Sequence, residues 1–90
     1  MAKRIIFSSN ACEEYIAWQI EDKKTLKRIN KLIQDIDRNG NDAGIGKPEP
    51  LRYQFQDYWS RRIDETNRLV CTSDGTRIQI LQCKYHYGRN

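Results

Sequence analysis

The sequence has little of what metal centres and disulfide frameworks require. It contains one histidine and three cysteines, and no two cysteines form a C-x-x-C pair. A zinc site or a disulfide framework is therefore not expected, no cofactor is indicated, and three mostly buried thiols at Cys12, Cys71 and Cys83 are predicted. A disulfide between Cys71 and Cys83 remains an alternative, although a cytosolic chain would not normally keep one.

Long apolar segments are also missing. No apolar run approaches the roughly 20 residues that cross a bilayer. The amino terminus has two basic residues and then only three apolar ones, residues 5–7, which is too short for the core of a signal peptide. We therefore expect a cytoplasmic protein with no membrane partner.

Size and composition indicate a single small domain spanning residues 1–90. The chain is 38% hydrophobic and 31% charged, with only two prolines. That is enough apolar material for one modest core, and the composition is not that of a disordered chain.

The first half of the chain predicts two helices. Residues 3–7 are expected to form a short strand, and the polar residues 8–10 can each cap a following helix; Glu13, three residues after Asn10, also suits a capping box. Apolar residues at helical spacing extend over residues 11–20. Asp22 is expected to cap a second helix, whose apolar stripe continues to Ile36 before a C-cap near residues 39–40. Two antiparallel helices packed as a hairpin are predicted.

The second half predicts strands. Residues 41–50 form a loop, and four β-like segments follow, separated by turn residues at 56–57, 65–67 and 73–75: residues 51–55, 59–64, 68–72 and 77–85. A meander of antiparallel strands results, with the first strand free to pair somewhere in that sheet. The predicted fold is α+β, with the helices on one sheet face and the other face partly open.

Charge is distributed unevenly between the two halves. The net charge is +4, and residues 46–90 hold eight basic and five acidic residues, together with six of the nine aromatic residues. Arginine dominates this half, and guanidinium groups bind phosphate bidentately and stack on bases. A nucleic-acid surface is therefore expected here.

A histidine, a fixed carboxylate and an arginine cluster in this half suit RNA cleavage without a metal. His86 is the only side chain with an unperturbed pKa near neutrality, and Lys84 adds positive charge nearby. Glu49 stands between two prolines, which make its backbone stiff, as a general base that must not drift would need. Each of these residues also has a simpler interpretation as an ordinary surface group.

The arginines of residues 61–68 are candidates for phosphate contacts. Arg61 and Arg62 are adjacent, and alternate residues of a strand face opposite ways, so the two cannot point to the same face. One is expected to reach a phosphate while the other makes surface ion pairs. Arg68 begins its strand beside a polar turn, from which it can stabilise charge developing on a phosphorane.

Four motifs follow one another in the second half of the chain: Gly46-Lys-Pro-Glu-Pro-Leu51, Tyr58-Trp-Ser-Arg-Arg-Ile63, Asn67-Arg-Leu-Val70 and Cys83-Lys-Tyr-His-Tyr87. With these motifs the sequence resembles a known family, the YoeB/Txe toxins of the RelE superfamily. The match runs in order over nearly the whole chain, and the helical hairpin fits it too.

The resemblance implies a microbial-RNase-like fold, a helix pair on a curved antiparallel sheet. It also implies a ribosome-dependent mRNA endoribonuclease that cleaves in the ribosomal A site through a 2′,3′-cyclic phosphate, without metal. Glu49 matches the family's general base, Arg68 its phosphate-stabilising arginine, His86 its general acid and Tyr87 the terminal tyrosine that supports the acid.

Further residues match the family less uniformly. Arg62 matches another active-site arginine, whereas Arg52 falls where relatives often have a lysine. Cys71 stands where relatives usually have tyrosine, and residues 88–90 extend beyond the usual terminal tyrosine. This tail is expected to hang free.

The implied partners are the ribosome, mRNA and an acidic antitoxin of the YefM/Axe type with a segment that folds on binding. Operator DNA is expected only through the antitoxin, and a homodimer is left open. Two alternatives remain: a non-catalytic RNA- or ribosome-binding module, and a toxin homologue that acts as a corepressor with its antitoxin.

Overall fold

The computed structural model describes residues 3–85 of the chain. Within that range, no helix is both long enough and apolar enough to pass through a membrane. The elements in chain order are β1 (Arg4–Phe7), α1 (Ser9–Glu21), α2 (Lys23–Asn39), β2 (Glu49–Pro50), a 3₁₀ helix (Tyr53–Phe55), β3 (Trp59–Arg62), β4 (Arg68–Ser73) and β5 (Arg77–Gln82).

Helix α1 begins at a serine cap. The hydroxyl of Ser8 accepts a hydrogen bond from the amide of Ala11 at 3.0 Å and donates one to the carbonyl of Leu81 at 2.8 Å. The capping box suggested by Asn10 does not form, because Ser8 is the N-cap and Asn10 lies inside the helix, where its side chain donates to Glu14. Ser8 thus joins the start of α1 to the sheet, since its two bonds satisfy an unpaired helix amide and a strand carbonyl.

A single aspartate separates the two helices. Asp22 is the C-cap of α1 and, as predicted, the N-cap of α2, where its carboxylate accepts from the amides of Lys24 and Thr25. Helix α2 ends before Gly40, whose φ of 82° lies in the left-handed region that glycine adopts at little cost. The predicted helical hairpin and its C-cap are therefore confirmed.

The helices pack on one face of the sheet to form the core. The predicted stripe of α2 is buried at Ile29, Leu32, Ile33 and Ile36, whereas Leu26 is only partly buried. The buried residues of the sheet and the segments that continue its strands complete the cluster: Ile63, Leu69, Cys71, Ile78, Ile80 and Cys83. Burying apolar side chains on one face leaves the opposite face of the central strands available for polar groups.

The five strands lie in the order β1-β5-β4-β3-β2. The strands of the second half pair antiparallel, as predicted, but β1 pairs parallel with β5 from Arg4 beside Arg77 to Phe7 beside Ile80. The sheet is therefore mixed. The α+β class and the helix pair on a sheet are confirmed. The partner of β1, which the sequence did not predict, is β5.

One predicted strand is wrong. Residues 51–55 do not extend the sheet, because a 3₁₀ turn forms at Tyr53–Phe55. Tyr53 and Asp57 have positive φ values of 59° and 77°, which no strand residue adopts. The ladder of β2 is therefore only two residues long, Glu49 and Pro50.

The three cysteines are free thiols, so Cys71 and Cys83 do not form a disulfide. Both are buried, as predicted, whereas Cys12 is exposed on α1. Burial raises the pKa of Cys71 and of Cys83 to about 12.

Candidate active site

The strand register brings three of the predicted site residues onto one face of the sheet. Glu49 lies opposite Ser60, and Arg62 lies opposite Arg68. Directly paired residues share a face, and so do residues two apart in a strand, so Glu49, Arg62 and Arg68 all lie on the face that the helices do not cover. We call this side of the sheet the open face.

Glu49 borders a shallow pocket at the edge of the sheet. The pocket has a volume of about 340 Å³ and is lined by residues 49–55, which include Arg52. Glu49 and Arg52 are both exposed, and the aromatic ring of Tyr53 is 85% exposed beside them. The structure therefore brings Glu49, the predicted base, together with Arg52. It also places Tyr53 beside them, which was not predicted as a site residue.

The loop before Glu49 is fixed from beneath by Arg61. Its guanidinium is fully buried and pairs with Asp35 of α2 at 2.6 Å. It also donates to three loop carbonyls, those of Gly40, Ala43 and Ile45. The two neighbouring arginines do face opposite ways, as predicted, but Arg61 makes a buried ion pair and not a surface one.

The same contact depends on a glycine in the loop. Gly44 has a φ of 110°, and a Cβ placed there would lie 1.8 Å from Oδ2 of Asp35. Although burial acts to raise the pKa of Asp35, the hydrogen bonds from Arg61 and from the amide of Ile45 hold it below its ordinary value. Asp35 is therefore held in its charged form, which keeps the loop attached to α2.

Arg62 and Arg68 differ in how they are held. Arg62 is exposed, and its backbone amide donates to the carbonyl of Gly46 at 2.7 Å. Nη1 of Arg68 donates to the carbonyls of Asp64 and Asn67, at 2.7 and 3.1 Å. Among the guanidinium nitrogens of Arg68, only Nη1 makes a hydrogen bond to residues 3–85. A guanidinium has five N–H donors, so Arg68 has further donors with which it can bind an anion.

The end of the described chain lies beside Arg68. The amide of Arg68 donates to the carbonyl of Tyr85 at 2.9 Å. The amide of Tyr85 in turn donates to Oδ1 of Asn67 at 2.7 Å. The predicted acid His86 and its supporting residue Tyr87 lie outside the described residues, as does the tail of residues 88–90, so their placement stays a prediction.

Lys84 contacts helix α1. Its ammonium lies 3.4 Å from the carboxylate of Glu21 and 5.3 Å from the ring centroid of Trp18. The Lys84 ammonium thus pairs with α1, whereas the Arg62 and Arg68 side chains lie on the open face of β3 and β4. Its predicted role in substrate binding is not tested by this contact.

Sequence reasoning missed the polar residues that support the site. Arg61 was expected at the surface, Asp64 was predicted to end a strand, and residues 65–67 were predicted only as a connecting turn. An Asp three residues before an Asn is a frequent turn pattern, so nothing in it pointed to the carboxy-terminal segment. Within residues 3–85, no three histidine, cysteine, aspartate or glutamate side chains are grouped as metal ligands.

Comparison with known proteins gives the same family over nearly the whole chain. Residues 7–87 match the model of the YoeB-like toxin of bacterial type II toxin–antitoxin systems. The chain is 49% identical to Toxin YoeB of Streptomyces coelicolor, over 93% of this chain and 99% of that protein. It is 42% identical to Toxin YoeB of Escherichia coli, with the same coverage.

Solved structures agree. The YoeB dimer from Staphylococcus aureus superposes with a TM-score of 0.91 at 49% identity, over 97% of this chain and all of that chain. The YoeB in a heterotetrameric YoeB–YefM complex from the same organism gives 0.89 at 49% identity, with the same coverage. YafQ from E. coli, at 13% identity and a TM-score of 0.77, shares the fold. The chain belongs to the YoeB-like toxins of bacterial type II toxin–antitoxin systems.

Proposed function

We propose that this toxin is a ribosome-dependent mRNA endoribonuclease that cleaves in the A site by acid–base catalysis. The observation that carries the proposal is the register of β2, β3 and β4. It places one exposed carboxylate, Glu49, on the same open face as Arg62 and Arg68. A base and a cationic group on one side of a sheet are what attack of a 2′-hydroxyl on its own phosphate requires.

The proposed reaction is a transesterification. Glu49 removes the proton of the 2′-hydroxyl, and the resulting oxygen forms a bond to the adjacent phosphorus. Arg68 stabilises the added negative charge on the phosphorane. The bond from phosphorus to the 5′-oxygen then breaks as His86, supported by Tyr87, donates a proton to the leaving oxygen. The products are a 2′,3′-cyclic phosphate and a 5′-hydroxyl, and no metal takes part.

Three other basic side chains bind the substrate in this proposal: Arg52, Arg62 and Lys84. Arg62 is exposed beside Arg68, and Arg52 lies in the pocket next to Glu49. In the proposal, both contact phosphates on either side of the scissile bond. Lys84 contributes positive charge at the carboxy-terminal end while remaining paired with Glu21.

The proposed protein partner is an acidic antitoxin. A YoeB relative from S. aureus has been solved in complex with YefM, and another structure shows a YoeB dimer. The chain has a net charge of +4 and an exposed basic face, which an acidic segment would complement. We propose that this chain forms such a complex and the homodimer, acts on cytoplasmic ribosomes, and contacts operator DNA only through the antitoxin.

The test is induced expression of the parent chain, Glu49→Gln and His86→Ala, with translated mRNA mapped for cut sites. Arrest and A-site cleavage by the parent, and neither by the variants, are expected. Purified ribosomes should be required for cleavage in vitro. Arrest by both variants at the parental level would contradict the acid–base assignment and favour a binding module, whereas a parent that binds antitoxin without cleaving would favour a corepressor.

A further inference from the structure

Residues 82–85, the segment before the predicted acid, are held by several hydrogen bonds between side chains and backbone. The backbone of Cys83 is bonded on both sides: its amide donates to Glu14 at 2.7 Å, and its carbonyl accepts from the indole of Trp18 at 2.8 Å. The amide side chain of Gln82 donates to the carbonyls of Lys84 and Tyr85. Helix α1 and β5 thus hold this segment up to Tyr85.

Tyr85 itself is held by the turn between β3 and β4. Its amide donates to Oδ1 of Asn67 at 2.7 Å, and its carbonyl accepts from the amide of Arg68 at 2.9 Å. Its φ is 65°, a conformation that a non-glycine residue adopts only when its surroundings fix it. The two bonds therefore fix the backbone of Tyr85.

Asn67 is in turn oriented by Asp64. The carboxylate of Asp64 accepts from the backbone amide of Asn67 at 2.6 Å and from its side-chain Nδ2 at 3.1 and 3.2 Å. With Nδ2 held in this way, Oδ1 is left facing the amide of Tyr85. Partial burial acts to raise the pKa of Asp64, but the hydrogen bonds from Asn67 and Thr66 hold it below its ordinary value.

The same turn holds the guanidinium of Arg68, because the carbonyls of Asp64 and Asn67 accept from its Nη1. One short turn thus fixes both the arginine proposed to stabilise the phosphorane and the backbone that leads to the proposed acid. Few apolar groups are buried here, since Asp64 and Tyr85 are exposed and Asn67 is only half-buried. The turn therefore adds little to the apolar core. Its hydrogen bonds instead fix the position of Arg68 relative to the backbone of Tyr85.

We propose that Asn67, oriented by Asp64, is a positioning residue that holds Tyr85 against Arg68 and so sets the point from which the chain continues to His86. This inference rests on the proposed function, since it assigns Asn67 an effect through the acid. Asn67 does not contact the reacting atoms in this proposal. Its loss slows proton donation to the leaving oxygen and leaves substrate binding intact.

The test compares two substrates that differ at the leaving atom. One is a ribosome-bound mRNA with the natural 5′-oxygen at a mapped cleavage site, and the other has sulfur as the bridging atom there. A thiolate leaves without a proton, because thiols are much stronger acids than alcohols. A defect in the acid is therefore relieved by the sulfur substrate, while a defect in folding, binding or the base is not. Rates are measured under single-turnover conditions at saturating ribosomes.

Four chains are compared: the parent, Asn67→Ala, His86→Ala and Thr66→Ala. Thr66 is the matched control, because it is exposed in the same turn and contacts Asp64 through its backbone amide, which alanine keeps. On the oxygen substrate we expect Asn67→Ala to be slowed about 10- to 100-fold, as for a displaced catalytic group. Thr66→Ala should match the parent, and on the sulfur substrate Asn67→Ala should match it as well.

Each other outcome is decisive. Asn67→Ala at the parental rate on oxygen, or equally slow on both substrates, overturns the positioning role. If His86→Ala is slow on the oxygen substrate and regains the parental rate on the sulfur substrate, His86 remains the proposed acid, even when the positioning role of Asn67 is overturned. His86→Ala at the parental rate on oxygen contradicts both. Amide hydrogen exchange gives a reading independent of cleavage: the Tyr85 amide should lose protection in Asn67→Ala, and an unprotected Tyr85 amide in the parent overturns the proposal.

Discussion

Arg61 and Arg62 are neighbours in one strand, yet they belong to two different regions of the molecule. Arg61 lies under the helices, fully buried, where it binds Asp35 and three loop carbonyls. Arg62 is exposed on the open face beside Arg68. The alternation of a β-strand thus assigns identical side chains to opposite tasks: one holds the fold together, and the other is available to a phosphate.

The largest effect on stability is expected from Arg61→Met. Removing one partner of a buried ion pair leaves Asp35 and the loop carbonyls unsatisfied, so a loss of about 3–5 kcal/mol in unfolding free energy is expected. The measurement is urea denaturation followed by circular dichroism. The matched control, Arg62→Met, should change stability by less than about 0.5 kcal/mol, as an exposed substitution does. Equal losses in the two variants would contradict the division.

The reverse experiment is Arg68→Ala. The rate of mRNA cleavage on the ribosome should fall about 10²- to 10³-fold, as when a group that stabilises transition-state charge is removed. Its urea midpoint should remain close to that of the parent, because within residues 3–85 its side chain hydrogen-bonds to two turn carbonyls that water can reach in its place. A variant that cleaves normally would remove Arg68 from the reaction.

A smaller effect should appear in the pH dependence of stability. The pKa of Asp35 is lowered in the folded state, so its contribution is fully present above the ordinary aspartate pKa and is lost as the pH falls through the lower, folded value. We therefore expect the stability difference between the parent and Asp35→Asn to shrink as the pH falls below about 4. If the stability difference between the parent and Asp35→Asn does not change with pH, the negative charge of Asp35 does not contribute to stability.

The smallest effect concerns the thiols and leaves stability unchanged. Burial raises the pKa of Cys71 and Cys83 to about 12, whereas Cys12 is exposed. A thiol reagent should therefore label Cys12 first in the folded chain and all three cysteines in denaturant, as mass spectrometry of peptides can show. Fast labelling of Cys71 in the folded chain would mean that the helix-covered face is not closed.

The sequence predicted the helices and the opposite orientations of Arg61 and Arg62, because helices and strands each repeat with a fixed period along the chain. The stripe of α2 and the alternation at Arg61 and Arg62 are visible without any tertiary contact. Which arginine would be buried was not visible, because it depends on where the loop of residues 40–46 returns over α2. The parallel pairing of β1 with β5 was invisible for the same reason, since β1 is distant in sequence from its partner.

The site was predicted less completely than the fold. Glu49 could be recognised because it is a carboxylate between two prolines, and Arg62 and Arg68 because they are arginines on predicted strands. The three residues do share a face of the sheet. The 3₁₀ turn at Tyr53–Phe55 was mistaken for a strand, because the positive φ of Tyr53 occurs at a residue that is not glycine and is not marked in the sequence. Asn67 was missed because its partner, the amide of Tyr85, is a backbone group that no sequence pattern marks.

The most direct test of the division between the two faces is the single-turnover rate of ribosome-bound mRNA cleavage by Glu49→Gln. This substitution keeps size and hydrogen bonding at an exposed position but removes the base. We expect a rate about 10²- to 10⁴-fold below that of the parent, at an unchanged urea midpoint and unchanged ribosome affinity. Cleavage by Glu49→Gln at the parental rate would contradict it.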